Sequence, residues 1–359
     1  MIESILYESN KRDKIISNLK KDNKPIVIYG TGSFGKSVAE KIDDLGLQIL
    51  CFMDKDEYWF ESKKIIVHEK KIKCMRKKDV LKLQETYNLL LAIIDYSLLE
   101  HLKNEFKFCN YVEYLDLYES HIIEENFLEA NSSILEEIYE KLEDNESKNV
   151  LNAFLKARYA GNIEKLSNLY NEGTMYDWKL LQLSKEDTII DGGAYVGDTI
   201  VEIYEYLGNA IPTMIYEFEP DKENISKLTE SVSKYNSSNI LIIEAALYDR
   251  DGGIKFNTQG NLCSSISDEG NQEVNIQAID NHLEYKDVSI IKMDIEGSEL
   301  KALQGAIRLI KRNHPRMAIC IYHNNRDLID IYCLLKKFGY HFYLRQHSHS
   351  VEETVLYAI

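Results

Sequence analysis

Acidic residues, glycines and a histidine follow short apolar runs in the second half of the chain, where they could bind a ligand and move protons. The runs end at residues 191–198 (DGGAYVGD), at Glu219, at residues 294–296 (DIE) and at His323. Glycines let a backbone approach a ligand closely, and a helix that begins after them offers free N–H groups. Glu219 lies 28 positions after Asp191 and suits the two hydroxyls of a ribose.

Seven apolar runs over residues 187–359 predict the strands that position these residues. The predicted strands are 188–190, 213–218, 240–246, 288–293, 316–322, 341–344 and 354–358. Helical periodicity fits between them until the last two strands, which follow each other directly. This order predicts a doubly wound α/β sheet with an antiparallel hairpin at one edge. Ligands of such sheets bind beyond the carboxyl ends of the strands.

A second glycine cluster, Gly30-Thr-Gly-Ser-Phe-Gly35-Lys36-Ser37, lies between a predicted strand and a predicted helix near the start of the chain. As G-x-G-x-x-G, with Asp54 ending the next strand, it predicts a Rossmann-like dinucleotide turn. As G-x-x-x-x-G-K-S it predicts a phosphate-binding P-loop, with Lys36 on the terminal phosphates and Ser37 on magnesium. We favour the Rossmann-like interpretation because the unit is compact and about 100 residues are few for a nucleoside triphosphatase. A scaffold that binds nothing is the third alternative.

Composition indicates a globular chain of about two or three parts. We expect a Rossmann-like domain in 1–120, a helical connector in 121–186, and an α/β domain in 187–359. Of the 359 residues, 44% are hydrophobic and 28% are charged, and the net charge of −16 argues against broad nucleic-acid binding. No run approaches the about 18 apolar residues of a membrane helix, and the six scattered cysteines are typical of reduced thiols. We therefore expect a cytoplasmic protein.

The motifs of the C-terminal part match a known pattern. They are DGGAYVGDT (191–199), EFEPD (217–221), IKMDIEGSELKALQGA (291–306), YHNNRDL (322–328) and ETVLYA (353–358). Together they resemble the FkbM-type S-adenosylmethionine-dependent methyltransferases. The resemblance implies a seven-stranded methyltransferase sheet with Glu219 on the ribose of the donor. The donor-binding residues that it implies are Asp191, Gly192, Gly193, Tyr195, Gly197, Asp198, Glu219 and Asp294. Glu217 departs from the pattern, in which a small apolar residue is expected.

The candidate catalytic residues are His323, Asp294 and Glu296. Methyl transfer from a sulfonium is an in-line displacement, and a hydroxyl acceptor must also lose its proton. A base within hydrogen-bond reach speeds such a step by about 10²–10⁴-fold. We interpret His323 as the base and the two carboxylates as groups that hold the base or the acceptor. We expect no metal ion; the alternative is a divalent cation on Asp294, His323 and Asn324.

The N-terminal stretch IVIYGTGSFGKSVAEKI, with CFMDKD after it, resembles the nucleotide-sugar-binding domain of bacterial sugar acetyltransferases over about residues 25–97. The resemblance implies that Gly30, Gly32 and Gly35 approach phosphates and that Asp54 lies near a ribose.

We therefore expect an S-adenosylmethionine-dependent O-methyltransferase. Its acceptor would be a hydroxyl of a sugar, nucleotide-sugar or glycan precursor in surface-polysaccharide biosynthesis. One alternative is a nucleoside-triphosphate-dependent phosphotransferase that uses the Gly30–Ser37 loop. The other is a non-catalytic nucleotide-sensing protein.

Overall fold

The structure is a computed structural model that describes residues 1–56, 59, 63–106, 109–170, 173–235, 238–257, 265–266, 272–284 and 286–359. The chain forms two compact units. Unit 1 consists of Met1–Ser133, Val150–Tyr170 and Ser348–Glu352, and unit 2 of Ile134–Asn149, Asn171–His347 and Glu353–Ile359. The division into residues 1–120, 121–186 and 187–359 stays a prediction. Within the described residues, no helix combines the length and the apolar character needed to cross a membrane.

Unit 1 contains a six-stranded sheet. Its strands are Ile26–Tyr29 (β1), Ile49–Asp54 (β2), Lys64–Val67 (β3), Lys70–Arg76 (β4), Asn88–Leu91 (β5) and Tyr111–Tyr114 (β6). The order is β3-β4-β2-β1-β5-β6, and every pair is parallel except β3 with β4. All four residues of β1 are buried, as expected of a central parallel strand with both faces covered. The sheet confirms the predicted smaller α/β part.

Helices accompany this sheet and continue through the middle of the chain. They are Ile2–Leu6 (α1), Lys11–Asp22 (α2), Ser33–Asp44 (α3), Lys77–Val80 (α4), Leu98–Glu105 (α5), Glu125–Ala130 (α6), Ser132–Lys141 (α7), Asn145–Ala160 (α8) and Glu164–Ser167 (α9).

A buried arginine joins α2 to the carboxyl end of α8 within unit 1. Arg12 is 5% exposed, and its Nε donates to the carbonyl of Asp116 at 2.8 Å. Its two Nη atoms donate to the carbonyls of Ala157, Arg158 and Tyr159 at 2.9, 3.0 and 3.2 Å. The last carbonyls of a helix have no partner inside it and carry partial negative charge, so a buried guanidinium stabilises this end.

Unit 2 contains the predicted seven-stranded sheet. Its strands are Thr188–Gly192 (β7), Met214–Phe218 (β8), Ile240–Ile243 (β9), Ile290–Met293 (β14), Arg316–Cys320 (β15), Phe342–Gln346 (β16) and Thr354–Ala358 (β17). The order is β16-β17-β15-β14-β7-β8-β9, and every pair is parallel except the two that β17 forms with β15 and β16. The doubly wound sheet and its edge hairpin are thus confirmed. The winding reverses between β7 and β14.

A small second sheet and six further helices complete the described part of unit 2. The strands are Ala246–Leu247 (β10), Gly252–Asn257 (β11), Ser265–Ile266 (β12) and Gln272–Gln277 (β13), in the order β10-β13-β11-β12. The helices are Asp198–Tyr206 (α10), Lys222–Ser233 (α11), Ile279–His282 (α12), Glu299–Gln304 (α13), Ile307–Asn313 (α14) and Asp327–Leu335 (α15).

The helix predicted over 297–312 is two helices, α13 and α14, separated at Gly305. A Cβ built on Gly305 would lie 2.2 Å from the carbonyl oxygen of Tyr248. The backbone therefore passes too close to its neighbour there for any side chain.

Candidate active site

A cleft of about 1040 Å³, open to solvent, lies at the carboxyl ends of β7, β8 and β14 in unit 2. This is the position at which doubly wound sheets bind ligands. Six of the residues proposed from sequence line the cleft, namely Gly193, Tyr195, Asp198, Glu219, Asp294 and Glu296. The lining does not include Asp191, Gly192, Gly197 or His323.

The loop after β7 crosses the loop after β14 at very short range. A Cβ built on Gly193 would lie 1.9 Å from the carbonyl oxygen of Asp294, and the φ of Gly193 is 79°. The N–H groups of Gly193 and Ala194 both donate to the carbonyl of Phe218 at 3.1 Å. Only glycine satisfies both the left-handed φ and the close approach, so this turn fixes the two loops that form one wall of the cleft.

Three residues with side chains adopt left-handed φ values in the lining of the cleft. They are Tyr195 at 47°, Glu296 at 55° and Glu353 at 57°. This conformation is uncommon outside glycine, and residues that adopt it cluster at binding and catalytic sites. Glu353, which precedes β17, was not among the residues proposed from sequence.

Glu219 is held by three N–H donors at the end of β8. Its Oε2 accepts the N–H of Tyr195 at 3.0 Å, and its Oε1 accepts the N–H of Asp221 at 2.9 Å and Nδ2 of Asn224 at 3.3 Å. Burial raises the pKa of Glu219 to about 7. The carboxylate is therefore fixed in orientation and exists in both protonation states near neutral pH.

Asp191 lies beneath the glycine loop and pairs with a buried lysine. Nζ of Lys292 is 2.8 Å from Oδ1 of Asp191 and donates to the carbonyl of Gly193 at 2.9 Å. Burial of Asp191 raises its pKa even though Lys292 opposes this shift. The pair links β14 to β7 and supports the turn at Gly193.

Glu217 is completely buried beside this pair, at the position where a small apolar residue was expected. Burial, and then the charge of Asp191, raise its pKa well above the usual range. Burial therefore favours the neutral form of the Glu217 carboxyl group.

His323 follows β15 and lies among three carboxylates. Its Nδ1 is 3.1 Å from Oε1 of Glu299, and its Nε2 is 3.4 Å from Oδ1 of Asp294 and 3.7 Å from Oε2 of Glu296. Burial works to lower the pKa of His323, but these carboxylates outweigh it and raise the pKa to about 10. The ring is therefore an imidazolium at neutral pH. The Tyr322 hydroxyl donates to Oδ1 of Asp294 at 3.0 Å.

The N-terminal glycines of unit 1 form a tight strand-to-helix turn. A Cβ on Gly30 would lie 2.3 Å from the carbonyl oxygen of Ala92, and one on Gly35 would lie 2.1 Å from the carbonyl oxygen of Gly30. Gly32 caps α3 and has open space around it. Because α3 already begins at Ser33, only three residues form the loop. A P-loop needs a longer loop to surround phosphates.

Asp54 is engaged with this turn. Its Oδ2 accepts the N–H and the hydroxyl of Thr31 at 2.8 and 2.5 Å, and Nζ of Lys63 donates to the same hydroxyl at 2.8 Å. Lys36 lies half-exposed, 3.7 Å from Glu40 on the same helix.

Comparisons with known proteins agree with the two sheets. Residues 191–342 match the family model of the methyltransferase FkbM domain, and residues 25–106 match that of the PglD N-terminal domain. Residues 191–342 are therefore similar to methyltransferase FkbM domains. No curated protein sequence matches the chain.

One solved structure shares the fold of the whole chain, and two others resemble about half of it. A methyltransferase FkbM from Methylobacillus flagellatus KT is 17% identical with a TM-score of 0.75, and the match covers 100% of this chain and 97% of that one. An rRNA methylase from Streptococcus thermophilus is 15% identical over 50% of this chain and 89% of that one, with a TM-score of 0.32. Aeropyrum pernix fibrillarin with bound S-adenosyl-L-methionine is 12% identical over 49% of this chain and 67% of that one, with a TM-score of 0.34.

Sequence reasoning missed two residues near the cleft. Glu299 stands three positions after Glu296 on the first turn of α13, and the GSE part of DIEGSE was the signal for it. Lys292 lies inside an apolar strand, where its partner Asp191 is 101 residues away. Nδ2 of Asn324, the third residue of the alternative metal site, donates to the carbonyl of Gly297 and to Oδ1 of Asp327.

Proposed function

We propose that the chain is an S-adenosylmethionine-dependent O-methyltransferase whose acceptor is a hydroxyl of a sugar or glycan precursor in surface-polysaccharide biosynthesis. The observation that carries the donor assignment is Glu219, a fixed carboxylate at the end of β8 that faces the cleft where the winding reverses. The similarity to methyltransferase FkbM domains supports the reaction class. The scattered cysteines support a cytoplasmic location.

The residues that line the cleft fit a donor with a ribose and a positive sulfonium. Gly193 allows close approach to the backbone, Glu219 would accept the ribose hydroxyls, and Tyr195, Asp198 and Asp294 would complete the site. S-adenosylmethionine supplies an electrophilic methyl group when bound. The glycine loop would be shaped by Asp191, Gly192 and Gly197. Alignment of donor and acceptor alone can lower the activation free energy by about 7–11 kcal/mol.

The proton of the acceptor hydroxyl needs a group in the lining of the cleft. An imidazolium has no lone pair with which to accept a proton, so we assign the accepting role to the carboxylates of Glu296 and Asp294. His323 then holds both carboxylates in position. This differs from the assignment of His323 as base, because the motif does not show that Glu299 lies 3.1 Å from the His323 ring.

Unit 1 would bind the nucleotide or carrier portion of the acceptor. The match to the PglD N-terminal domain over residues 25–106 supports this role. The residues in question are Gly30, Gly32, Gly35 and Asp54, although Asp54 already accepts two hydrogen bonds from Thr31. Titration with a uridine diphosphate sugar tests the role.

The donor site is tested by calorimetric titration of the full chain with S-adenosylhomocysteine. One site is expected, and Glu219→Ala should weaken it by at least about tenfold through loss of charge-assisted hydrogen bonds. The matched control is Glu230→Ala, which removes an exposed glutamate of α11. Binding of ATP or NAD in place of S-adenosylhomocysteine would overturn the proposal.

A non-catalytic sensing protein is the competing function, and it would bind S-adenosylhomocysteine without methyl transfer. Incubation with methyl-labelled S-adenosylmethionine and a panel of nucleotide sugars separates the two. Transfer that is lost in Glu296→Gln supports the enzyme.

A further inference from the structure

Three side chains beside the cleft come together in a way that suits a metal ion. Asp294 follows β14, Glu299 lies on the first turn of α13, and His323 follows β15. Each offers one ligand atom, and these atoms lie within 4.8 Å of one another. Ligand atoms on one ion at about 2.0–2.2 Å lie up to about 4.4 Å apart, so small side-chain movements suffice.

Buried polar atoms in this cluster lack hydrogen bonds. Glu299 is fully buried, and its Oε1 accepts the N–H of Ile295 at 2.8 Å. Its Oε2 accepts no hydrogen bond within the described part of the chain. The His323 side chain is only 9% exposed, and neither of its ring nitrogens forms a well-aligned hydrogen bond with another described residue. Buried polar atoms without partners are rare, and a bound ion satisfies such atoms.

The cluster is accessible from the cleft, and hydrogen bonds orient two of its carboxylates. Asp294 is the most exposed of the three at 28%, and it lines the cleft, so an ion on it would keep a position open toward a ligand. The Tyr322 hydroxyl orients Asp294, just as the Ile295 N–H orients Glu299. Ligating carboxylates are normally held by hydrogen bonds of this kind.

We propose that Asp294, Glu299 and His323 bind a divalent first-row transition-metal ion. Two carboxylates and one neutral imidazole suit ions that accept both oxygen and nitrogen ligands, and Mn²⁺ matches the oxygen-rich set best. A bound ion would take the place of the proton that His323 carries in the metal-free chain, because a ligating histidine must be neutral. This site replaces the sequence alternative that included Asn324 and revises the expectation of no metal. Glu296 then remains in the lining of the cleft as the proton acceptor of the proposed reaction.

The experiment is a titration of the chelator-treated full chain with MnCl₂, followed by electron paramagnetic resonance of the free ion. About one Mn²⁺ per chain should leave the free pool. Asp294→Asn and His323→Gln should each weaken binding by at least about tenfold, whereas Glu230→Gln should not. Glu299→Gln is the third variant, and circular dichroism checks that each variant is folded.

Absence of Mn²⁺ binding would overturn the metal site, and so would equal affinities in Asp294→Asn and the unaltered chain. S-adenosylhomocysteine is titrated into the same preparation. If the chain binds Mn²⁺ but not S-adenosylhomocysteine, the metal site is supported and the proposed methyltransferase function is contradicted. If it binds S-adenosylhomocysteine but not Mn²⁺, the proposed function is supported and the metal site is contradicted.

Discussion

At the scale of single residues, the site depends on carboxyl groups whose environments differ. Glu219 is fixed by three N–H groups, burial raises the pKa of Glu217, and Asp294 and Glu296 face the cleft beside an imidazolium. Carboxyl groups with different environments can take different roles at one pH.

Binding of S-adenosylhomocysteine should therefore depend on pH through Glu219. Its pKa of about 7 means that the group is ionised above pH 7 and neutral below it. Only the ionised form accepts both ribose hydroxyls well, so affinity should fall by up to about tenfold per pH unit below 7. Calorimetry from pH 5.5 to 8.5 measures this change. Glu219→Gln should bind S-adenosylhomocysteine weakly at every pH. If the affinity of that variant fell with pH as steeply as that of the unaltered chain, the result would contradict the assignment of the pH dependence to Glu219.

The strand-end residues could be predicted from sequence because a motif places them next to apolar runs. The side chains that pair with these residues could not be predicted from sequence. Lys292 reads as one more residue of a strand, and only the pairing of β14 with β7 shows that it meets Asp191. The protonation of His323 likewise depends on Glu299, which reaches it through the fold rather than through spacing.

At the scale of elements, the seven strands of the large sheet follow from apolar runs, which report burial directly. Helix boundaries follow less well, because α13 ends where the chain meets Tyr248, a contact that periodicity does not contain. Residues 251–273 contain several Gly, Asn and Ser residues, and this composition indicates a hairpin or loop. The structure places β11, β12 and part of β13 there, and β11 pairs antiparallel with β13.

The crossing of the β7 and β14 loops gives a prediction for Gly193→Ala. The left-handed φ and the contact at 1.9 Å should together cost about 2–5 kcal/mol and abolish S-adenosylhomocysteine binding. Gly339→Ala is the matched control, since Gly339 has a φ of 82° and no atom within 4 Å of its built Cβ. That variant should lose only about 1–2 kcal/mol. Urea-induced unfolding and calorimetry measure both effects, and equal losses would argue against the close crossing.

The carboxyl end of α8 gives a prediction for Arg12→Met. The change removes a buried donor from four carbonyl groups and should cost about 3–5 kcal/mol of the free energy of unfolding. Arg76→Met, in which an arginine loses a partly exposed pair with Asp79, should cost less than about 1 kcal/mol. Urea-induced unfolding followed by circular dichroism compares them. Equal costs would show that α8 does not need this contact.

At the scale of the whole molecule, the chain carries a net charge of −16 and several groups that bind protons more tightly in the folded state. In unit 2, burial raises the pKa of Glu217 well above the usual range. In unit 1, burial opposes protonation of His121, but Asp116 at 2.9 Å raises its pKa to about 9. A folded state that binds extra protons loses stability as pH rises.

The full chain should accordingly be less stable at pH 9.5 than at pH 6. His121 contributes stability that is complete below its unfolded pKa of about 6.5 and is lost as pH rises through 9. Glu217 costs stability increasingly above about pH 4.5. Urea titrations at both pH values measure the loss. Glu217→Gln and His121→Gln should each reduce this loss of stability between pH 6 and pH 9.5, whereas Glu230→Gln should leave it unchanged. If all three variants lost the same amount of stability, the result would contradict the roles of Glu217 and His121.

The path of the chain through the two units has a consequence for gene engineering. The polypeptide passes from one unit to the other at residues 133/134, 149/150, 170/171, 347/348 and 352/353, and α8 spans one of these points. No single stretch of the gene therefore encodes either unit. A fragment that begins at residue 171 would lack Asp144, whose carboxylate accepts a hydrogen bond from Arg345 at 2.7 Å. Exchange of catalytic parts between relatives of this chain must accordingly transfer three segments at once.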